Sequence, residues 1–178
     1  MNIIVFIKQI PDSDEVKLDE NGNLIRSGAG TMINPVDKNA LEAGLSLRDR
    51  FGGKVTAVTM GPPQAEDVLN RALFMGCDEA VLLSDRAFGG ADTLATGYVL
   101  SMAAKKLGSF DLAIFGNKAS DAETAQTGPV TAGSDFLLSR ALTVSSLTAV
   151  RSYAAATSQT APKHRRPNSR PLSRSPLQ

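Results

Sequence analysis

The stretch KVTAVTMGPPQAEDVLNRALFMGCDEAVLL, residues 54–83, decides the fold. Its opening run, 54–60, is rich in β-branched and apolar residues, and Gly61-Pro62-Pro63 then breaks it. The apolar positions switch to a helical spacing over 64–75, through Val68, Ala72 and Met75, before Gly76 closes the helix. Residues 79–83 return to a short apolar run. Strand, helix and strand in immediate succession make the unit of a parallel sheet, because parallel neighbours need a crossover long enough to hold a helix.

The alternation continues outward on both sides. Toward the N-terminus, residues 3–7 form a strand that leads into a loop, Lys8-Gln9-Ile10-Pro11-Asp12. Asn21-Gly22, between Val16/Leu18 and Leu24/Ile25, supplies the positive φ angles of a tight hairpin turn. Asn34-Pro35-Val36-Asp37 reads as a helix start, with Asn34 capping the free amides, Pro35 at the first helical position and Asp37 at the positive end of the dipole. Val36, Ala40, Ala43, Leu47 and Phe51 fall on one face of that helix, which Gly52-Gly53 ends. Toward the C-terminus, a long loop at 84–91 precedes an Ala- and Leu-rich helix ending at Leu107, and residues 111–115 form a fourth strand. The prediction is an α/β fold: a parallel sheet with helices on both faces.

The connections of this layout are unequal. Those that enter strands, FGG at 51–53, GCD at 76–78 and GSF at 108–110, are short and plain. Those that leave strands are KQIPD at 8–12, MGPPQ at 60–64, SDRAFGGADT at 84–93 and GNKASDAETAQTG at 116–128. Open parallel sheets bind ligands at the carboxyl ends of their strands, so a ligand is expected at that edge.

Composition narrows the class. A chain of 178 residues with 42% apolar content and no tryptophan fits one ordinary globular domain with tightly packed helices. Its apolar runs fall far short of the roughly 20 residues of a membrane span, and its N-terminus has no basic segment ahead of the first apolar run, so a cytoplasmic location is expected. Cys77 is the single cysteine and His164 the single histidine, which excludes an internal disulfide and a His/Cys-rich metal cluster. Cys77, after a helix-ending glycine, reads as a small core residue.

The most informative loop is 116–128. It combines small residues for close backbone approach, hydroxyls at Ser120, Thr124 and Thr127, the Gln126 amide and a helix start near Gly128-Pro129. Free amides there suit a nucleotide phosphate, and a solvated loop that merely starts a helix is the other reading. Gly89-Gly90-Ala91-Asp92-Thr93 is similar to the pyrophosphate loop of adenylating enzymes, but it follows the third strand instead of the first; Asp92 and Thr93 as a plain helix cap is the alternative. No acid/base pair stands out: Asp121 and Glu123 alternate along an irregular segment, and Asp12, Asp14 and Glu15 read as a solvated turn. No catalytic residue and no metal site is expected. The Gly-x-Gly-x-x-Gly and Gly-x-x-x-x-Gly-Lys phosphate motifs are both missing.

Four segments in order, IKQIPD at 7–12, INPVDKNALEAGL at 33–45, VTMGPPQAEDVLNRALFMGCDEAVLLSDRAFGGADTLAT at 58–96 and DLAIFGNKASDAETAQTGP at 111–129, resemble the beta subunit of electron-transfer flavoproteins. The resemblance covers residues 1 to about 132. It implies a Rossmann-like adenine-nucleotide-binding fold of the universal-stress-protein type, here truncated, that works with an alpha subunit and an acyl-CoA dehydrogenase or similar redox partner. It also implies AMP in ordinary members and a second FAD in the electron-bifurcating branch; DRAFGGADTLAT resembles that branch, so FAD is favoured over AMP. By position, the implied nucleotide contacts are Phe6, Asn34, Pro35, Val36, Asp37 and Met60, followed by Gly116, Asn117, Lys118, Ala119, Ser120, Asp121, Ala122, Glu123, Thr124, Ala125, Gln126, Thr127 and Gly128. Asp92, Thr93 and Thr96 are implied to lie toward the flavin ring. Asn117 and Ala122 depart from the family pattern, which has a basic residue and a glycine or aspartate there. Two other functions stand beside this one: a universal-stress-like nucleotide-binding module without redox role, and an adenylating enzyme using the Gly89 loop.

The chain changes character after the resemblance stops. Residues 1–133 hold 12 Lys/Arg against 17 Asp/Glu, while residues 134–178 hold 7 against 1, which is −5 against +6. The expectation is a nucleotide-binding domain over 1–132 and, over 133–178, a frameshifted or otherwise aberrant basic tail, disordered after Val150, that forms no native part of it. A genuine basic extension for nucleic acid, with Lys163, Arg165, Arg166, Arg170 and Arg174 attracting phosphates, is the reading set against it. No nucleic-acid partner is expected.

Overall fold

The computed structural model describes residues 1–12, 17–18, 24–25, 30–119, 124–133 and 141–144. In chain order its elements are β1 (Asn2–Phe6), β2 (Gln9–Pro11), β3 (Lys17–Leu18), β4 (Leu24–Ile25), β5 (Thr31–Ile33), α1 (Pro35–Phe51), β6 (Lys54–Met60), α2 (Glu66–Phe74), β7 (Glu79–Leu83), α3 (Thr93–Leu107), β8 (Leu112–Gly116), α4 (Thr127–Ala132) and β9 (Ala141–Val144).

The main sheet runs β7-β6-β1-β8-β9, and every pairing in it is parallel. From β1 the chain steps outward through α1 to β6 and through α2 to β7, then returns over α3 to β8 on the other side of β1. Because parallel crossovers are right-handed, this reversal puts α3 on the face opposite α1 and α2. The point where the order reverses, between β1 and β8, is where such sheets open a crevice at their carboxyl edge.

Side-chain alternation along the strands builds the two layers. Ile3, Val5, Val55, Ala57, Leu112 and Ile114 pack with Ala40, Leu41, Leu47, Val68 and Ala72 of α1 and α2. Ile4, Phe6, Val58, Ala113 and Phe115 pack with Leu100 and Ala104 of α3. Each fully buried Leu, Ile or Val contributes about 1.5–3 kcal/mol over leaving it exposed, so β1, buried on both faces, is the axis of the core. Near Gly97 the α3 and α4 helices meet so closely that a Cβ would stand 2.6 Å from Val130 Cγ1.

Several details differ from the sequence expectation. Along α1, Val36 is half-buried and Phe51 lies 39% exposed, while Asp37, Leu41, Gly44 and Leu45 are buried, because a helix lying across a sheet uses a wider stripe than one narrow row. Pro63–Ala65 form a short 3-10 turn before α2, and Met75 falls beyond that helix, partly exposed. The loop expected at 8–12 contains β2, which pairs antiparallel with β5. In the expected hairpin β3 pairs with β4, and the Asn21-Gly22 turn between them lies outside the described residues.

The expected domain boundary at residue 132 does not coincide with the edge of the sheet. Ala141–Val144 pairs parallel with β8, from Ala113↔Ala141 to Gly116↔Val144, so the segment expected to contribute nothing supplies the outer strand. Ala-Leu-Thr-Val is short but β-prone, and it gives the outer edge of β8 a hydrogen-bonding neighbour. Residues 134–140 and 145–178 lie outside the described residues. Among the described residues no helix is long and apolar enough to cross a membrane. Cys77 is a buried core residue, and burial, with Asp78 adding to it, pushes its thiol up to about 11.

Candidate functional site

A cavity of about 990 Å³ opens at the carboxyl edge of the sheet, over the ends of β1, β6 and β8. Its floor is apolar. Phe6 and Phe115, neighbours across the β1–β8 pairing, stack with ring centroids 4.6 Å apart and planes 12° from parallel. The rim comes from the long connections after the strands.

The loop after β7 is shaped by its own carboxylates. Asp85 accepts a hydrogen bond from the Ala87 amide at 2.9 Å, starting the 3-10 turn Arg86–Phe88. Asp92 accepts one from the Ala95 amide at 2.7 Å and caps α3, which is the plain reading of the GGADT segment. Asp92, Thr93 and Thr96 nevertheless line the cavity, together with Arg86 and Phe88.

Asn34 does not cap α1 with its side chain. Its Nδ2 is spent on the Lys118 carbonyl at 2.8 Å, tying the loop after β8 to the start of α1. One turn on, Asp37 is 6% exposed, and its Oδ2 accepts the Lys8 amide at 2.8 Å. Burial pushes the Asp37 carboxyl up to about 7, against the opposing pull of hydrogen bonds from the Lys8 amide, the Asn34 side chain and the Gly116 amide. Gln9 joins a third loop, donating from Nε2 to the Gln64 carbonyl at 2.9 Å and to Thr31 Oγ1 at 3.0 Å.

The segment 124–128 closes the cavity from the α4 side. Ala125 holds φ 53°, a left-handed backbone that a non-glycine residue adopts at a cost of about 1 kcal/mol. The helix begins at Thr127, with Gly128 and Pro129 in its first turn, close to the expected start.

The structure brings most sequence-selected residues to one cavity: Phe6, Asn34, Asp37, Met60, Asp92, Thr93 and Thr96, with Gly116, Asn117, Lys118, Ala119, Thr124, Ala125, Thr127 and Gly128. Pro35, Val36 and Gln126 do not line it. Ser120, Asp121, Ala122 and Glu123 lie outside the described residues. Among the lining residues not anticipated were Lys8, Ser84, Arg86, Phe88, Phe115 and Leu100. The unequal connection lengths already pointed to the loops that carry most of these; Leu100, inside α3, had no such signal.

Chemically, the arrangement suits binding. It offers an apolar aromatic floor and hydroxyls at Thr93, Thr96, Thr124 and Thr127, a set suited to a flat ring system joined to a sugar and phosphate.

Comparison with known proteins gives the same direction. The model of the electron transfer flavoprotein domain matches residues 21–134. The electron transfer flavoprotein subunit beta of Clostridium acetobutylicum is 55% identical over 130 residues, which are 72% of this chain and 50% of that protein. The FixA protein of Azorhizobium caulinodans is 52% identical over 134 residues, 72% of this chain and 48% of the relative. Subunit CarD of the caffeyl-CoA reductase-Etf complex of Acetobacterium woodii is 52% identical over 130 residues, again 72% and 50%. The chain spans about half the length of the curated relatives it matches. With more than half of its residues inside the family model, and with these relatives, the chain belongs to the electron transfer flavoprotein family, among its beta subunits.

Proposed function

We propose that the cavity at the β1–β8 switch point holds an adenine nucleotide, FAD in preference to AMP, and that the chain serves as the beta subunit of an electron-transfer flavoprotein. In that role it passes electrons between a dehydrogenase or NADH and an acceptor, together with an alpha subunit. The observation that carries this reading is the position of the cavity, at the one place where the strand order reverses and the long loops converge.

The size admits the larger ligand. A volume of about 990 Å³ lies within the roughly 300–1,000 Å³ of small-molecule sites and leaves room for a dinucleotide as well as a mononucleotide. The apolar floor at Phe6 and Phe115 supports a ring system, Gly116 to Ala119 and Thr124 to Gly128 support the sugar and phosphates, and Asp92, Thr93 and Thr96 lie toward the flavin. Pro35, Val36 and Gln126 act through the backbone they shape, not by lining the cavity. Bound FAD supplies the redox chemistry; the protein's own residues bind it, orient it and exclude water. The relatives named as a beta subunit and as a subunit of a caffeyl-CoA reductase-Etf complex support an alpha-subunit partner, and an acyl-CoA dehydrogenase or similar redox enzyme beyond it is part of the same proposal. Residues 1–132 hold the whole described lining of the cavity and supply the nucleotide-binding part of the domain in this reading, to whose sheet Ala141–Val144 adds the outer strand.

Nucleotide released by heat from a complex of a full-length beta chain with its alpha subunit tests this. Two FAD per heterodimer are expected. One FAD with one AMP transfers the chain to the ordinary branch, and adenine nucleotide without any flavin absorbance in the complex overturns the redox role.

A further inference from the structure

Asp37 stands where β1, β8 and α1 meet. Its Oδ2 accepts the Lys8 amide at 2.8 Å, just past the end of β1. The Gly116 amide, at the end of β8, donates to the same carboxylate, as does the Asn34 side chain, which also holds the Lys118 carbonyl at 2.8 Å. The other oxygen fills the space beside Gly116 so completely that a Cβ there would stand 2.1 Å from Asp37 Oδ1. One buried group thus fastens both walls of the crevice to the first turn of α1.

We infer that Asp37 is a positioning residue: acting through the Lys8 and Gly116 amides, its carboxylate sets the spacing of the β1 and β8 loops between which the nucleotide lies. The inference rests on the nucleotide-binding reading. The ionised group is an acceptor only, on both oxygens. Protonation puts a hydrogen on one oxygen and weakens it as an acceptor, and Asn replaces one oxygen with an amide donor, so either change loosens the hold on one of the two walls.

The charge is held against the interest of stability. Burial pushes the carboxyl up to about 7 even though its hydrogen bonds and the Lys8 ammonium, the charged side chain acting on it among the described residues, all pull the other way. A folded-state value above the ordinary 3.8 means that, relative to a neutral residue, stability is greatest below about 4 and is lost as pH rises through about 7. Grip on the crevice runs in the opposite sense, strong above about 7 and weak below it. A part that only stabilised the fold would not show opposite signs.

The 178-residue chain and its Asp37→Asn variant are compared from pH 6 to 8.5 by urea denaturation, by calorimetric titration with AMP and with FAD, and by amide exchange corrected for intrinsic rates. At pH 8 the variant is expected to be at least as stable as the wild type, yet to bind nucleotide about tenfold more weakly and to lose protection at Lys8 or Gly116. Wild-type affinity is expected to fall as pH drops through 7, and that of the variant to stay level. Equal affinity at pH 8, or unchanged protection at both amides, overturns the proposal. If the wild type binds neither AMP nor FAD at any pH, the nucleotide reading fails, and protection alone then decides whether Asp37 fastens the two walls. If the variant does not fold, the wild type's own protection at Lys8 and Gly116 decides: a loss between pH 8 and pH 6 supports the proposal and constancy overturns it.

Discussion

The two edges of the sheet use the same hydrogen bond for opposite ends. At the amino edge Asp78 accepts the Val55 amide at 2.7 Å, and at the carboxyl edge Asp37 accepts the Lys8 amide at 2.8 Å. Asp78 has a side chain 40% exposed, and the Val55 amide, followed by Arg48, holds it below the usual carboxylate range. Asp37 is buried and is pushed up to about 7. Water access, not the bond, decides which protonation state each site prefers.

The surroundings differ in the same way. At the amino edge the connections are short and laced together: Arg48 donates to the Gly76 carbonyl at 2.6 Å and pairs with Asp78 at 3.1 Å, Lys54 pairs with Glu79 at 2.7 Å, and the Asn2 amide donates to Asp111 at 2.7 Å. At the carboxyl edge the chain spends its polar groups on fixing loops around a cavity. One edge holds the strands in register, and the other turns that register into a site.

The largest expected break in this comparison is Gly116→Val. Its side chain would enter the space of the Asp37 carboxylate, with the backbone at Asp37 and Val36 only 3.2 Å away, so overpacking should cost about 3 kcal/mol in urea denaturation and abolish nucleotide binding. Unchanged stability would mean that the carboxyl edge is far looser than described. Gly128→Val acts on the site more than on the fold. A branched side chain in the buried first turn of α4 should weaken nucleotide affinity by about tenfold or more, or about 1.4 kcal/mol, and unchanged affinity would remove the 124–128 segment from the site.

Two smaller effects sharpen the other edge. Asp78→Asn removes a carboxylate whose folded-state value lies below its unfolded one; its contribution is present above about 4 and lost as pH falls further. The stability difference between wild type and Asp78→Asn should therefore shrink on acidification toward pH 3, while that for Asp37→Asn shifts between about 4 and 7. Parallel pH profiles for the two would contradict the contrast. The smallest effect is Lys54→Ala, which breaks an ion pair with both side chains about half exposed. A loss below about 1 kcal/mol that fades in 1 M salt is expected in urea titrations.

Most of the fold was legible because its periodicities are strong. Residues 54–60 and 79–83 became β6 and β7 without change, and the alternation of strand and helix led to the sheet with helices on both faces. What escaped depended on partners distant in sequence. Gln9–Pro11 reads as a loop until Thr31–Ile33 is placed beside it, and Ala141–Val144 reads as part of a basic tail until the open side of β8 is seen. Asn34 was assigned the helix amides nearest to it in the chain, but its side chain found the Lys118 carbonyl 84 positions away. The edge carrying the cavity was readable from connection lengths, whereas Arg86 and Phe88 entered it through a turn that only Asp85 and its backbone bond define.

Amide hydrogen exchange of the chain with and without FAD tests the central claim most directly. Added protection is predicted at residues 6–8, 34–37, 116–119 and 124–128, with no change at 51–54 or 76–79. Protection gained at the amino edge, or at neither edge with FAD in large excess, would contradict the assignment of the carboxyl-edge cavity as the nucleotide site.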